Sequence, residues 1–436
     1  MTSAKYSHHF SLSNLPYGIA SSPTHQQQCA TRLYNTVIFL DVLQQSGFFN
    51  DMPSLPEGVF TNSTLNEYAA LPKSIHTTVR SLLQNALGHG LESLPQPAKA
   101  DISTVTMHLP VSIPAFTDFS TSLNHVQNAG RAILNDPSPP PGFFHFPIGY
   151  AGRASTVVVS GTPITRPTGH FYDRTSDISK TVIHGPSRAL DYEMELGIII
   201  GKPLPRETGL HAKDAEEHIF GFVVLNDWSA RDIQGLEMIP LGPLKGKSFG
   251  STISPWIVTT DALAPFKTAG PEPKVPLPVH LQEETEFNYD IVMRVEILPS
   301  ESSILEHSTT PSEKETEILD DEKNAYVNAN LIATSHAKSL YWSHRQMTAH
   351  LTSSGCDLQT GELLGTGTVS GSEGGSYGCL LESTKGGKEA VKLKDGSRRV
   401  YLADGDVVRM SAFLGGEEKG VGFGECVGVV RAAVSI

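Results

Sequence analysis

The sequence of 436 residues predicts an α+β fold that is predominantly β. Three observations carry this. Its 39 glycines and 29 prolines interrupt most stretches that could build long helices. Short apolar runs of strand length recur between turn residues. Only a few segments repeat their apolar positions every three or four residues, the mark of an amphipathic helix.

In chain order, residues 1–106 read as an N-terminal module with one clear helix, Ile75 to Leu87, and the polar stretch Pro95 to Asp101 reads as a linker. Residues 107–436 read as a second, larger unit. Its strand candidates are Thr156–Val159, Glu193–Ile200, Phe220–Leu225, Ile291–Ile297 and Asp406–Met410, with helices expected over Phe119–Leu134 and Leu340–Leu351. No repeat of fixed period is visible.

The net charge of −13 argues against a nucleic-acid partner, since duplex binding rests on clustered Lys and Arg meeting phosphates. Residues 301–323 hold eight acids against two lysines, and this insertion is expected to be a solvated loop. The four cysteines, Cys29, Cys356, Cys379 and Cys426, form no CxxC pair, so reduced thiols in a cytoplasmic protein are expected. The N-terminal residues lack the apolar core of a signal peptide, and no apolar run reaches membrane-spanning length.

The chemistry concentrates in Glu193-Met194-Glu195 and Asp227. On a strand, residues i and i+2 share a face, so Glu193 and Glu195 sit side by side, roughly 7 Å apart. Met194, Leu196, Ile198 and Ile200 then form the face a core would claim. Two fixed carboxylates repel unless a cation or a proton separates them. Asp227 ends the apolar run Phe220–Leu225, and three acids on strands suit a hard cation, Mg²⁺ or Ca²⁺. Asp118 either caps a helix or joins these acids. If it opens the helix, His125 lies two turns on, as a general base on the same face. Arg231 and Gln234 follow Asp227 closely and could hold an oxyanion or a carboxylate.

Two look-alike motifs are set aside. Gly242 to Lys247 falls one residue short of the spacing of a phosphate-binding loop. Gly374-Gly375-Ser376-Tyr377-Gly378 matches the nucleophile-elbow pattern but follows loop residues, not a strand, so Ser376 reads as a turn residue.

Taken together these segments resemble the fumarylacetoacetase family. The likeness runs collinearly from Asn14-Leu15-Pro16-Tyr17-Gly18 through Thr117-Asp118-Phe119, Gly149-Tyr150-Ala151-Gly152-Arg153, Glu193-Met194-Glu195, Asn226 to Gln234 and Leu241 to Gly250. It ends with Gly367-Thr368-Val369-Ser370-Gly371 and Gly422-Phe423-Gly424. The resemblance implies a small N-terminal SH3-like β-barrel, a C-terminal mixed β-sandwich roll, a homodimer, and metal-dependent hydrolysis of a carbon–carbon bond in a β-diketone acid, ending tyrosine and phenylalanine catabolism. It implies Ca²⁺ ligands at Asp118, Glu193, Glu195 and Asp227, and a Mg²⁺ neighbourhood at Asp227, Lys247 and Ser251, where the family has threonine at the last position. His125 matches the base and Glu382 the carboxylate that orients it. Arg231, Gln234 and Lys247 match the oxyanion donors, and Tyr150 and Thr368 match substrate contacts.

Three substrate-facing positions depart from the pattern. Ser120 and Met238 stand where the family has tyrosines, and Leu134 where it has an arginine. Arg131, one helical turn before Leu134, could replace that arginine. These changes raise an alternative: a paralogue acting on a less acidic or bulkier diketone. An oxo-acid decarboxylase or hydratase, and a non-catalytic binding relative, are the remaining rivals.

Overall fold

The computed structural model describes residues 4–173, 181–283, 288–299, 329–415 and 420–434. Strands dominate, and they form three principal sheets. The acidic segment 301–323 lies outside the described residues.

The first sheet is an antiparallel, five-stranded one built within the N-terminal module. Its order is Lys99–Asp101, Thr36–Phe39, His25–Leu33, Tyr17–Ser22, Thr106–His108. The stretch read as a linker therefore ends in a strand, with Lys99–Asp101 paired to Thr36–Ile38. Its polarity reflects an edge position, where none of the three strand residues is buried. The helix Lys73–Gly88 covers the expected Ile75–Leu87 and buries Ile75, Val79, Leu83 and Leu87 along one stripe.

The second sheet has eight strands and builds the site. Its main path is Ile148–Ala151, Phe116–Ser120, Leu363–Gly365, Met194–Ile200, Ile219–Asp227, Ser251–Ile253, Val157–Val159. The third runs Asn330–His336, Val292–Leu298, Val407–Leu414, Val421–Arg431, Ile164–Thr165. These two sheets pack face to face. Met194, Leu196, Ile198, Ile200, Phe222 and Val224 of one share a buried core with Met293, Val295, Met410 and Cys426 of the other. The opposite face of the eight-stranded sheet packs Ile199, Val223, Leu225 and Leu363 against Leu15, Tyr17 and Tyr68 of the N-terminal module.

One predicted element needs correction. The helix expected from Phe119 starts only at Leu123, and Asp118 belongs to the strand Phe116–Ser120. That strand pairs in parallel with Leu363–Gly365, a partner nearly 250 residues away that local periodicity cannot reveal. Ser122 caps the helix by accepting from the His125 N–H, and Asn135 ends it in the left-handed conformation (φ 58°). The third expected helix spans His344–Thr352 and opens with a Ser343/Gln346 capping box. Among the described residues no helix is long and apolar enough to cross a membrane. None of the four cysteines is in a disulfide.

Candidate active site

Strand pairing brings the acids together. Glu195 lies opposite Leu225, and the Asp227 N–H donates to the Glu193 carbonyl at 3.2 Å. Gly365 is paired with Gly197 on one side and with Asp118 on the other. Having no side chain, Gly365 leaves open the space where Asp118 and Glu195 meet. A Cβ there would stand 2.7 Å from Asp118 Oδ1 and 2.9 Å from Glu195 Oε2. Asp118, Glu193, Glu195 and Asp227 are all buried, and each offers an oxygen within 4.8 Å of the others.

Burying four carboxylates so close is costly, and only part of the charge is met. The Lys247 ammonium donates to Glu193 Oε2 and, at 2.6 Å, to Asp227 Oδ2. Ser251 Oγ donates to Asp227 Oδ1 at 2.8 Å and the Tyr150 hydroxyl to its Oδ2 at 3.1 Å. Arg231 Nη1 donates to Glu193 Oε1 at 2.7 Å. Glu195 receives only the Gly367 N–H, at 3.0 Å on Oε2. Asp118 Oδ1 and Glu195 Oε1 are buried without any hydrogen-bond partner.

The titration of the cluster follows. Burial, then the Asp227 carboxylate, push Asp118 up to about 8. Burial, then Asp118, hold Glu195 well above the carboxylate range. Glu193 differs: burial works against its charge, but Lys247 and Arg231 outweigh it and keep its carboxyl below the ordinary value. Burial disfavours the Lys247 ammonium too, yet Asp227 and Glu193 hold it above its ordinary value. Two orphaned acid oxygens in an all-oxygen cage fit a hard divalent cation, whose charge would replace the protons.

Beside the cage stands the His125–Glu382 pair. His125 Nδ1 lies 2.9 Å from Glu382 Oε2, leaving Nε2 as the nitrogen able to take a proton. Burial opposes charge on the imidazole, but Glu382 outweighs it and raises His125 above its ordinary value. Glu382 is itself held by three more donors: Ser370 Oγ (2.7 Å), Cys379 Sγ (3.1 Å) and Asn128 Nδ2 (2.9 Å). Its helix, Leu380–Ser383, is short and buried.

The donors sit at the start of the helix Arg231–Leu241. Arg231 Nη1 also donates to Gln234 Oε1 at 3.2 Å. Arg231 Nη2 and Thr368 Oγ1 are buried without partners. The site thus holds unused acceptors for a cation and unused donors for an anionic or carbonyl oxygen. Lys247 is delivered by a loop that sequence reasoning left unexplained. The Glu237 carboxylate accepts from the N–H groups of Leu244, Lys245 and Gly246 at 2.9, 3.0 and 3.0 Å. A phosphate-binding loop would aim such amides at its ligand; here a carboxylate of the same chain takes them. A Cβ on Gly246 would lie 2.6 Å from the Gln234 nitrogen, so only glycine lets the loop press on the helix.

The remaining candidate positions lie further out. Ser120 ends its strand half-buried beside Gly367. Leu134 is 75 % exposed and half a turn around its helix from His125, so the structure does not bring the two together. Arg131 is exposed and donates to Asn128 Oδ1 at 2.9 Å. Met238 is 47 % exposed, seven residues beyond Arg231 on the same helical face. Ser376 lies in a turn, its N–H donating to the Glu373 carbonyl at 3.1 Å, as expected for a non-catalytic serine.

An oxygen cage next to an oriented imidazole, on a two-sheet roll, is the architecture of an enzyme. Residues 13–110 match the family model described as fumarylacetoacetase N-terminal, and residues 115–431 match fumarylacetoacetate (FAA) hydrolase C-terminal. The chain is 39 % identical to the fumarylacetoacetase of Aspergillus fumigatus, covering 98 % of this chain and 97 % of that one. It is 37 % identical to the fumarylacetoacetase of Bos taurus over the same shares. The solved fumarylacetoacetate hydrolase of Exiguobacterium antarcticum aligns with 96 % of this chain and 99 % of its own, at TM-score 0.51 and 17 % identity, and shares the fold. The chain belongs to the fumarylacetoacetate hydrolase family and has both parts of a fumarylacetoacetase.

Proposed function

We propose that this enzyme hydrolyses the carbon–carbon bond of a β-diketone acid, converting 4-fumarylacetoacetate and water to fumarate and acetoacetate in tyrosine and phenylalanine breakdown. The names of its relatives support the substrate. One observation carries the chemistry: orphaned acid oxygens on Asp118 and Glu195 lie in the same buried site as a histidine whose Nδ1 is engaged by Glu382.

A divalent cation held by Asp118, Glu193, Glu195 and Asp227 would polarise the diketone oxygens as a Lewis acid. We assign Ca²⁺ or Mg²⁺ to the cage, because all its ligands are oxygens. His125 Nε2 takes a proton from water while Glu382 stabilises the imidazolium. The hydroxide adds to the carbonyl carbon. Arg231 Nη2, the Gln234 amide and the Lys247 ammonium hold the oxyanion. Collapse of this adduct breaks the carbon–carbon bond, the leaving carbon departs as an enolate, and the imidazolium returns the proton. No covalent enzyme intermediate is needed. Tyr150 and Thr368 position the substrate from the cage side.

A second reading, a paralogue for a different 1,3-diketone acid, is favoured by the exposed Leu134 and Met238 and by Arg131 being engaged with Asn128. We further assign a cytoplasmic homodimer with units 1–106 and 107–436, although the strand Thr106–His108 completes the N-terminal sheet.

The test is product analysis with purified protein. Fumarate and acetoacetate in equal amounts, abolished by a chelator and restored by Mg²⁺ or Ca²⁺, are expected. Release of carbon dioxide, or no turnover while neutral diketone acids are cleaved, contradicts the primary reading.

A further inference from the structure

Asp191 is completely buried and belongs neither to the cage nor to the base pair. Each of its oxygens is fully occupied. Oδ1 accepts from the Tyr192 and Leu380 N–H groups, both at 2.8 Å. Oδ2 accepts from Arg231 Nε and from the Leu381 N–H, both at 2.9 Å. Asp191 is therefore no cation ligand.

Its partners define its role. Leu380 and Leu381 open the helix that carries Glu382, and Cys379 before them makes no side-chain cap. Asp191 supplies that cap from a distant part of the chain. Arg231 opens the other helix, and its own N–H donates to the Ala189 carbonyl at 2.9 Å. The segment Leu190–Asp191 also pairs with Ser229–Ala230. One carboxylate thus joins the helix start that orients the base to the helix start that presents the guanidinium.

We infer that Asp191 is a positioning residue that fixes the Glu382–His125 pair against Arg231, so that attacking water and oxyanion donor meet one substrate carbon. This rests on the hydrolytic reading above. A misplacement of about 1 Å in such a geometry can cost about 100-fold in rate. Asn in place of Asp191 keeps the shape but turns an N–H group on two existing donors.

The experiment measures kcat/KM on fumarylacetoacetate for the wild-type chain, Asp191→Asn, Glu382→Gln and the double variant. Asp191→Asn is expected to lose about 100-fold on the wild-type background. On the Glu382→Gln background it is expected to lose at most about 10-fold, because groups acting as a unit are not additive. Wild-type activity in Asp191→Asn, or an equal loss on both backgrounds, overturns the inference while leaving the hydrolytic reading intact. A wild-type chain that cleaves no diketone acid overturns the reading and the inference together. Should Asp191→Asn not fold, soluble Asp191→Ser assayed with increasing formate replaces it. Saturable recovery supports the assignment, and no recovery overturns it.

Discussion

Two groups of buried carboxylates stand side by side in this molecule, and they are treated oppositely. Glu382 and Asp191 each accept four hydrogen bonds. Asp118 and Glu195 each keep an oxygen with no partner. The first pair is finished by the protein itself and can only orient its neighbours. The second is left incomplete and calls for a positive charge from outside. Burial is common to both, so hydrogen-bond satisfaction separates orienting acids from ligating ones.

Substitutions can break this contrast, and the largest effect belongs to the group between the two pairs. His125→Ala should lower kcat about 1,000-fold, the scale of a lost general base, while calorimetry shows cation binding unchanged. A parallel loss of cation binding would place His125 in the cage. Next comes the incomplete pair. Glu195→Gln, or Gly365→Ala with its Cβ pressed on Asp118, should weaken cation affinity about 100-fold, one or two charge contacts' worth. Unchanged affinity would remove these residues from the cage. Of the finished pair, Glu382 is expected to matter less. Glu382→Gln should reduce kcat about 10- to 100-fold as His125 loses its orienting partner. Because Glu382 raises the imidazole, its loss should move the acid limb of the rate profile to lower pH. A limb that stays in place would detach Glu382 from His125. Smallest is Glu237→Ala, which frees three amides of the Lys247 loop and should cost about 3- to 10-fold in kcat/KM through looser placement of Lys247.

The contrast also sets a pH dependence. In chelator, folded Asp118 keeps its proton up to about pH 8, whereas unfolded Asp loses it near pH 4. The folded state then binds more protons, so stability should fall as pH rises from about 4 to 8. Thermal unfolding in chelator should show that decline, and excess Mg²⁺ or Ca²⁺ should flatten it.

Much of this was legible in the sequence. The period of two in Glu193-Met194-Glu195 revealed both the core face and the acid face, because alternation is a local property. Asp227 was found at the end of an apolar run for the same reason. For Asp118 the sequence leaves a helix cap and a place among the acids both open, since its strand exists only through pairing with Leu363–Gly365 far along the chain. In Pro95–Asp101 only Lys99–Asp101 departs from the linker reading, as an edge strand looks like a polar linker. Asp191 was missed although its signal was present: Asp191, Glu193 and Glu195 continue one alternating series. Glu237 had no such signal, since three backbone amides meeting one carboxylate leave no trace in residue type. The positions of Leu134 and Met238 depend on helix rotation and exposure, which the family pattern alone does not convey.

The most direct test is calorimetric titration of Mg²⁺ or Ca²⁺ into chelator-treated protein at pH 7, repeated in buffers of different ionisation enthalpy. One cation per chain should bind, releasing protons from the Asp118–Glu195 pair, and Glu195→Gln should remove the share that Glu195 contributes. Binding without proton release, or no binding at all, would contradict the claim that these four carboxylates form an unfinished cage for a cation.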